Sequence, residues 1–103
     1  MTEFPLAILS PDREWYAGPA ESVIAPGQDG EFGVLARHIP LVAGLKAGVV
    51  TVRVPGGKAL FFAVDGGVLG VEPGGVRILT GNAAAAATPE QARTALADLA
   101  RHA

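Results

Sequence analysis

Two histidines, His38 and His102, and no cysteine are the scarce material from which this chain could build a metal centre or a nucleophilic site. The histidines form no HExxH-type pair, so a metal would need scattered carboxylates to converge. Ser10 and Ser22 are the serines, and neither lies in a G-x-S-x-G elbow. The phosphate loop G-x-x-x-x-G-K-[ST] is absent, and Gly66-Gly67-Val68-Leu69-Gly70 falls where a hairpin is expected instead of between a strand and a helix. Asp29 and Glu31 could be read as an acid/base pair, but carboxylates in a Gly-rich turn are as a rule solvated. No catalytic, cofactor-binding or metal-binding residue is therefore expected.

The stretch from Gly27 to Val50 is the most informative. Glycines at 27, 30 and 33 flank Asp29 and Glu31, and His38 stands before Pro40, which opens the run Leu41-Val42-Ala43-Gly44-Leu45-Lys46. Turns and bulges that need positive φ or close backbone approach account for the glycines. They do not account for Glu31, Phe32, Arg37 and His38, which place both signs of charge and a pH-sensitive ring around one hairpin end.

The length of 103 residues bounds the chain to one domain. With 50% hydrophobic and only 17% charged residues, disorder is excluded as the main state. A net charge of −2 gives no bulk attraction to nucleic acid or to an anionic membrane. Without cysteine, a disulfide-stapled secreted scaffold is not expected. Met1-Thr2-Glu3-Phe4-Pro5 lacks the basic start and apolar core of a signal peptide, and no apolar run approaches the ~18 residues that span a bilayer. Membrane association is expected only through a partner.

From Phe4 to Thr80 the chain alternates short apolar runs with Pro and Gly, the pattern of an all-β sandwich or barrel. Candidate strands lie near Leu6–Leu9, Trp15–Ala17, Ser22–Ala25, Gly33–Leu35 and Leu41–Lys46. Turn signals at Pro55-Gly56-Gly57, Asp65-Gly66 and Pro73-Gly74-Gly75 predict a four-strand antiparallel meander from 48 to 80, with Asp65-Gly66 at a tight turn. Val50, Val52 and Val54 alternate with Thr51 and Arg53, as in a half-buried sheet. The neighbours Trp15 and Tyr16 should point to opposite faces, one to the core and one outward, and Phe61 and Phe62 likewise.

The grammar changes after Asn82. Ala83 to Ala87 reads as a low-complexity joint, so the division expected is 1–82 for the sandwich and 83–103 for joint and helix. Thr88-Pro89-Glu90-Gln91 supplies an N-cap hydroxyl, a first-position proline, an early acid and a Gln placed for a capping box. The helix should run about three to four turns. Ala92, Ala95, Leu96, Leu99 and Ala103 form a narrow stripe that should dock weakly.

The Gly27–Val50 stretch resembles the epsilon subunit of F-type ATP synthases, whose amino-terminal sandwich carries a G-E-(apolar)-G segment followed by a His and then P-L. The run Phe61 to Leu69 and the segment Pro73-Gly74-Gly75-Val76 resemble that family's F-x-x-x-x-G-G-V-L-x-V-x-P-G-x-V pattern, and the resemblance covers residues 4 to 82. It implies a mainly β fold, an antiparallel β-sandwich with one short carboxy-terminal α-helix. It also implies a non-catalytic central-stalk subunit without cofactor, whose partners are the gamma subunit and the membrane rotor ring. The implied location is peripheral, on the cytoplasmic face of an energy-transducing membrane, that of a bacterial plasma membrane. Carried over by motif, Glu31, Phe32 and Arg37 fall at the ring contact, and His38, Leu41 and Val42 at the gamma contact.

The chain departs from the family in three places. Ala36-Arg37-His38 stands where Pro-Gly-His is common, and Lys46-Ala47-Gly48 replaces Lys-Pro-Gly. Only 83–103 follows Asn82, which suits one helix instead of the family's helical hairpin, and the I/L-D-x-x-R-A motif for ATP is missing. Long-reach inhibition of ATP hydrolysis is accordingly expected to be weak or missing. The rival readings are a free-standing β-sandwich binding module, which would want an exposed aromatic platform, and a regulatory subunit of another enzyme.

Overall fold

Residues 3–35 and 40–101 are described by a computed structural model. Alternating apolar side chains and Gly/Pro turns set out strands β1 (Phe4–Ser10), β2 (Arg13–Ala20), β3 (Ser22–Gly27), β4 (Gly30–Leu35), β5 (Leu41–Leu45), β6 (Gly48–Arg53), β7 (Ala59–Val64), β8 (Gly67–Glu72), β9 (Gly75–Leu79) and β10 (Ala83–Ala86), followed by helix α1 (Pro89–Arg101). Their hydrogen-bonded order is β10-β7-β6-β3-β5-β8-β9-β1-β2, with β4 along the other edge of β3.

Strand β3 pairs with β6 through Ser22–Ile24 but with β5 at Gly27 only. The order therefore divides into two five-stranded layers, β10-β7-β6-β3-β4 and β5-β8-β9-β1-β2, that meet at this corner. The corner is closed by Lys46 N–H donating to Pro26 O at 2.9 Å and Gln28 N–H donating to Gly44 O at 3.1 Å. Between the layers lies one apolar core, in which Leu6, Ile8, Leu69 and Ile78 from one side and Val23, Val34, Val50 and Val64 from the other are fully buried. This is the sandwich the alternation predicts.

The expected meander over 48–80 resolves differently. Strand β6 pairs with β7 and β8 with β9, all antiparallel, but β7 and β8 belong to different layers and do not pair. Asp65-Gly66 is thus a crossing between layers, not the tight turn of a hairpin. Gly66 and Gly67 take φ of 122° and 136°, and a Cβ on Gly67 would overlap the Leu79 carbonyl oxygen. The Asp65 carboxylate receives the Thr80 hydroxyl at 2.9 Å and the Asn82 N–H at 3.1 Å, and Asp65 N–H donates to Asn82 O at 3.2 Å. Local alternation is the same whichever layer a strand joins, so the sequence pattern alone does not separate the two arrangements. Strand β1 closes its layer by pairing with β9 in parallel, the one parallel pair among the described residues.

Two further expectations change. Ala83–Ala86, read as a joint, is strand β10, paired antiparallel with β7 from Ala83↔Val64 to Ala86↔Phe61. Asn82 starts it: its side-chain oxygen accepts from Ala83 N–H at 2.9 Å. Small side chains lower strand propensity, but they leave room for a helix to lie close over the sheet. Trp15 and Tyr16 do not separate to opposite faces. The register jumps from Ile8↔Tyr16 to Leu9↔Glu14, so Trp15 is the extra residue of a β-bulge, and both rings are half-buried against the core. Trp15 Nε1 donates to Ser10 Oγ at 2.9 Å, with the Arg13 guanidinium 3.8 Å from the ring centre. Tyr16 donates to Pro19 O at 2.6 Å, and burial, followed by the nearby Glu3 carboxylate, raises its pKa. Phe61 and Phe62 do separate: Phe62 is buried in the core and Phe61 is half-buried on the opposite face.

Helix α1 begins as its sequence prescribes. Thr88 Oγ1 accepts from Gln91 N–H at 3.1 Å, while Gln91 Oε1 reaches back to the N–H of Ala87, one residue earlier than in the usual capping box. The helix lies over β10, β7 and β6. There Ala63, which alternation turns away from the core, is fully buried, as is Ala92, while Leu96 and Leu99 are only half-buried.

Gly67→Ala should destabilise the domain by at least about 2 kcal/mol, because backbone conformation and the Leu79 carbonyl both oppose a side chain there. A urea midpoint within error of the parent would show that the crossing is not fixed by this contact. For the helix, Leu96→Ala should cost about 1 to 2 kcal/mol, less than at a fully buried leucine. Ala92→Leu should cost about 1 to 3 kcal/mol by overpacking and open α1 to proteolysis. Unchanged digestion of Ala92→Leu would contradict the docking.

Candidate functional site

The charged turn singled out in the sequence is the tip of the β3–β4 hairpin. Gly27 pairs with Gly30, leaving Gln28 and Asp29 as the two-residue loop, and Glu31 stands opposite Pro26. Phe32 turns inward and is half-buried against the core, its ring lying over Gly27, where a Cβ would come within 2.7 Å of Phe32 Cδ1. Glu31, the next residue along the strand, therefore turns outward and is exposed. It makes no ion pair or side-chain hydrogen bond among the described residues.

Strand β5 brings the second half of the site. Leu41 turns inward, half-buried against the core and opposite Val71, while Val42 turns outward and is 79% exposed. Val42, Ala43 and Gly44 line one wall of an open hollow of about 500 Å3, and the segment from Gly27 to Phe32 lines the other. The structure thus joins Glu31, Phe32 and Val42 at one corner of the sandwich and sets Leu41 beneath it. Arg37 and His38, with the Ala36-Arg37-His38 departure, lie outside the described residues.

Sequence reading missed the continuation of this corner. On the outer face of the second layer, Val68 stands opposite both Gly44 and Leu79, and Gly70 opposite both Val42 and Arg77. Val42, Val68 and Leu79 consequently share one face, the latter two 42% and 49% exposed, on ground kept flat by the two glycines. The available signal was the alternation itself: Val68 and Leu79 occupy the same face as Gly70 and Arg77, a face with polar and small residues where a half-buried sheet turns to solvent.

The corner offers carboxylates, an amide and an apolar ledge, a surface for recognition more than for bond-breaking. No three His, Cys, Asp or Glu side chains converge on a metal-binding geometry among the described residues. Among the described residues, no helix is long and apolar enough to cross a membrane.

Residues 3–86 match the model of a family described as the ATP synthase, Delta/Epsilon chain, beta-sandwich domain. The chain is 45% identical over 85 residues to ATP synthase epsilon chain 1 of Methylococcus capsulatus, covering 82% of this chain and 61% of the relative. It is 39% identical over 87 residues to the ATP synthase epsilon chain of Caulobacter vibrioides, covering 84% of this chain and all of the relative. It spans 61%, 57% and 54% of the lengths of the relatives from Methylococcus capsulatus, Laribacter hongkongensis and Stenotrophomonas maltophilia. Among solved structures, a chain of the Euglena gracilis mitochondrial ATP synthase, in an OSCP/F1/c-ring assembly, superposes with a TM-score of 0.78 at 27% identity, covering 95% of this chain and 64% of that one. A chain of the Tetrahymena thermophila mitochondrial ATP synthase central stalk/c-ring superposes with a TM-score of 0.68 over 81% of this chain and 66% of that one, and at 13% identity shares the fold.

Glu31→Lys should leave stability within about 0.5 kcal/mol of the parent, since an exposed side chain without a partner contributes little to folding. Phe32→Ala should cost about 2 kcal/mol, below the range for full burial. Equal effects of the two in urea unfolding would contradict the inward and outward assignment of these neighbours.

Proposed function

This chain belongs to the ATP synthase delta/epsilon chain β-sandwich family, and we propose that it is a non-catalytic subunit of the rotary central stalk, joining the gamma subunit to the membrane rotor ring. The observation that carries the reading is the continuity of an acidic corner with an outer sheet face on which Val42, Val68 and Leu79 are exposed beside Arg77 on this family's sandwich. Asp29 and Glu31 are exposed at the hairpin tip, and the ledge of Val42, Val68 and Leu79 begins beside them. The likeness to the Euglena chain, from an assembly holding F1 and a c-ring, supports it.

In this reading the two surfaces divide the work. The acidic tip meets polar loops of the ring, with Glu31 and Arg37 at the contact and Phe32 holding the hairpin from beneath. The apolar ledge, with His38 and with Leu41 supporting Val42, meets gamma. Exposed charges mainly orient partners and set association rate, whereas apolar area excluded from water supplies affinity. Two layers closed over one core transmit torque between the partners as a rigid body, and the protein itself takes no cofactor and performs no bond chemistry. It reaches the cytoplasmic face of the energy-transducing membrane through the complex. A free-standing binding module with an aromatic platform fits less well: Phe4 and Phe62 are buried, and Trp15, Tyr16, Phe32 and Phe61 are half-buried.

The test is co-purification with gamma and the rotor ring at two ionic strengths. Glu31→Lys should weaken assembly in a salt-dependent manner, because the contact lies near solvent. Val42→Asp and Leu79→Asp should weaken it at both strengths while leaving the urea midpoint near that of the parent. A parent chain that captures neither partner would overturn the reading, and variants that assemble like the parent would remove these surfaces from it.

A further inference from the structure

We propose that Asp29 is a site of spontaneous modification: its side chain closes on the Gly30 nitrogen to a succinimide, which water opens to β-linked isoaspartate, while the fold protects the chain's other Asp-Gly pair, Asp65-Gly66.

The sequence holds these two Asp-Gly pairs. A glycine after the aspartate puts no side chain in the way of ring closure and leaves the backbone free to turn for it. In either pair the chemistry would be the same. The glycine nitrogen attacks Cγ of the protonated carboxyl, a C–N bond forms, and the side-chain oxygen leaves as water. Hydrolysis at the former side-chain carbonyl restores aspartate. Hydrolysis at the main-chain carbonyl leaves the chain running through Cγ, with one more carbon in the backbone and a free α-carboxylate. Water is released and taken back, so the conversion is an isomerisation that needs no other reactant.

The surroundings of the two pairs differ. Asp29 is exposed, and its carboxylate makes no hydrogen bond or ion pair among the described residues. Gly30 is exposed too, and a Cβ on it would meet no atom within 4 Å, so the imide has open space in which to form. Gly27 and Gly30 make the last rung of the hairpin, and a terminal rung opens at least cost.

At the layer crossing the carboxylate is held. Asp65 Oδ1 receives the Thr80 hydroxyl at 2.9 Å and the Asn82 N–H at 3.1 Å. The Gly81 backbone lies against both oxygens, for a Cβ on it would stand 3.2 and 3.3 Å from them. Gly66 is half-buried, its own Cβ position 3.4 Å from Leu45 O. To reach the Gly66 nitrogen the carboxylate must give up both hydrogen bonds, so the contacts that join the layers also shield Asp65 from this reaction.

The test incubates the full chain in warm neutral buffer, folded and in urea, and locates β-linked residues by electron-transfer fragmentation, whose diagnostic ions arise from the lengthened backbone. In the folded chain isoaspartate at 29 should exceed that at 65 by about tenfold or more, since two hydrogen bonds must be released at 65 and none at 29. In urea the two positions should accumulate it at like rates. Asp29→Glu should remove the signal at 29, because the six-membered ring it would need closes far more slowly. Equal accumulation at 29 and 65 in the folded chain, no isoaspartate at 29, or the same excess at 29 in urea would overturn the proposal.

Discussion

The Asp65 carboxylate is the constraint on which the two-layer arrangement turns. It sits where the chain leaves one layer for the other, and it gathers the Thr80 hydroxyl and the Asn82 N–H at the point where the chain returns. Thr80 N–H in turn donates to Leu9 O at 2.9 Å, so the same latch reaches β1. Hydrogen bonds to a carboxylate as exposed as this one contribute about 1 kcal/mol each. More important than their sum is their position, because they bind outgoing and returning crossings into one piece and hold β10 where α1 can cover it.

Legibility in the sequence followed the range of the interaction. Strand locations in the first half were readable from alternation and turn residues, and the start of α1 from Thr88 and Gln91, because both signals act within a few residues. The layer to which each strand belongs was not readable, since Val68 and Leu69 alternate identically in a meander and in a second sheet. Trp15 shows the same limit: alternation assigns it a face, but the bulge that shifts it depends on pairing with β1. The alanines of β10 carry almost no local preference, and their pairing with Phe61 to Val64 decides their state.

The corner site was legible as chemistry and only partly as shape. Glu31 and Phe32 announced themselves by type beside glycines, and the family resemblance added Leu41 and Val42. The ledge formed with Val68 and Leu79 needed the register of β5, β8 and β9, which join distant parts of the chain. Exposed aliphatic residues are unremarkable singly, and their meaning came from sharing one flat face.

The parallel pairing of β1 with β9 has a consequence for how the chain reaches this state. Leu6 waits for Val76, and Ile8 for Ile78, so β1 lacks one neighbour until β9, about 70 residues later, has been made. Contacts so far apart along the chain demand costly loop closure before they return any stabilisation, which slows folding. During that interval the β1–β2 hairpin presents an unpaired apolar edge, the kind of surface on which nascent chains aggregate or recruit chaperones. The same pairing that completes the second layer makes its synthesis a race between completing β9 and shielding β1.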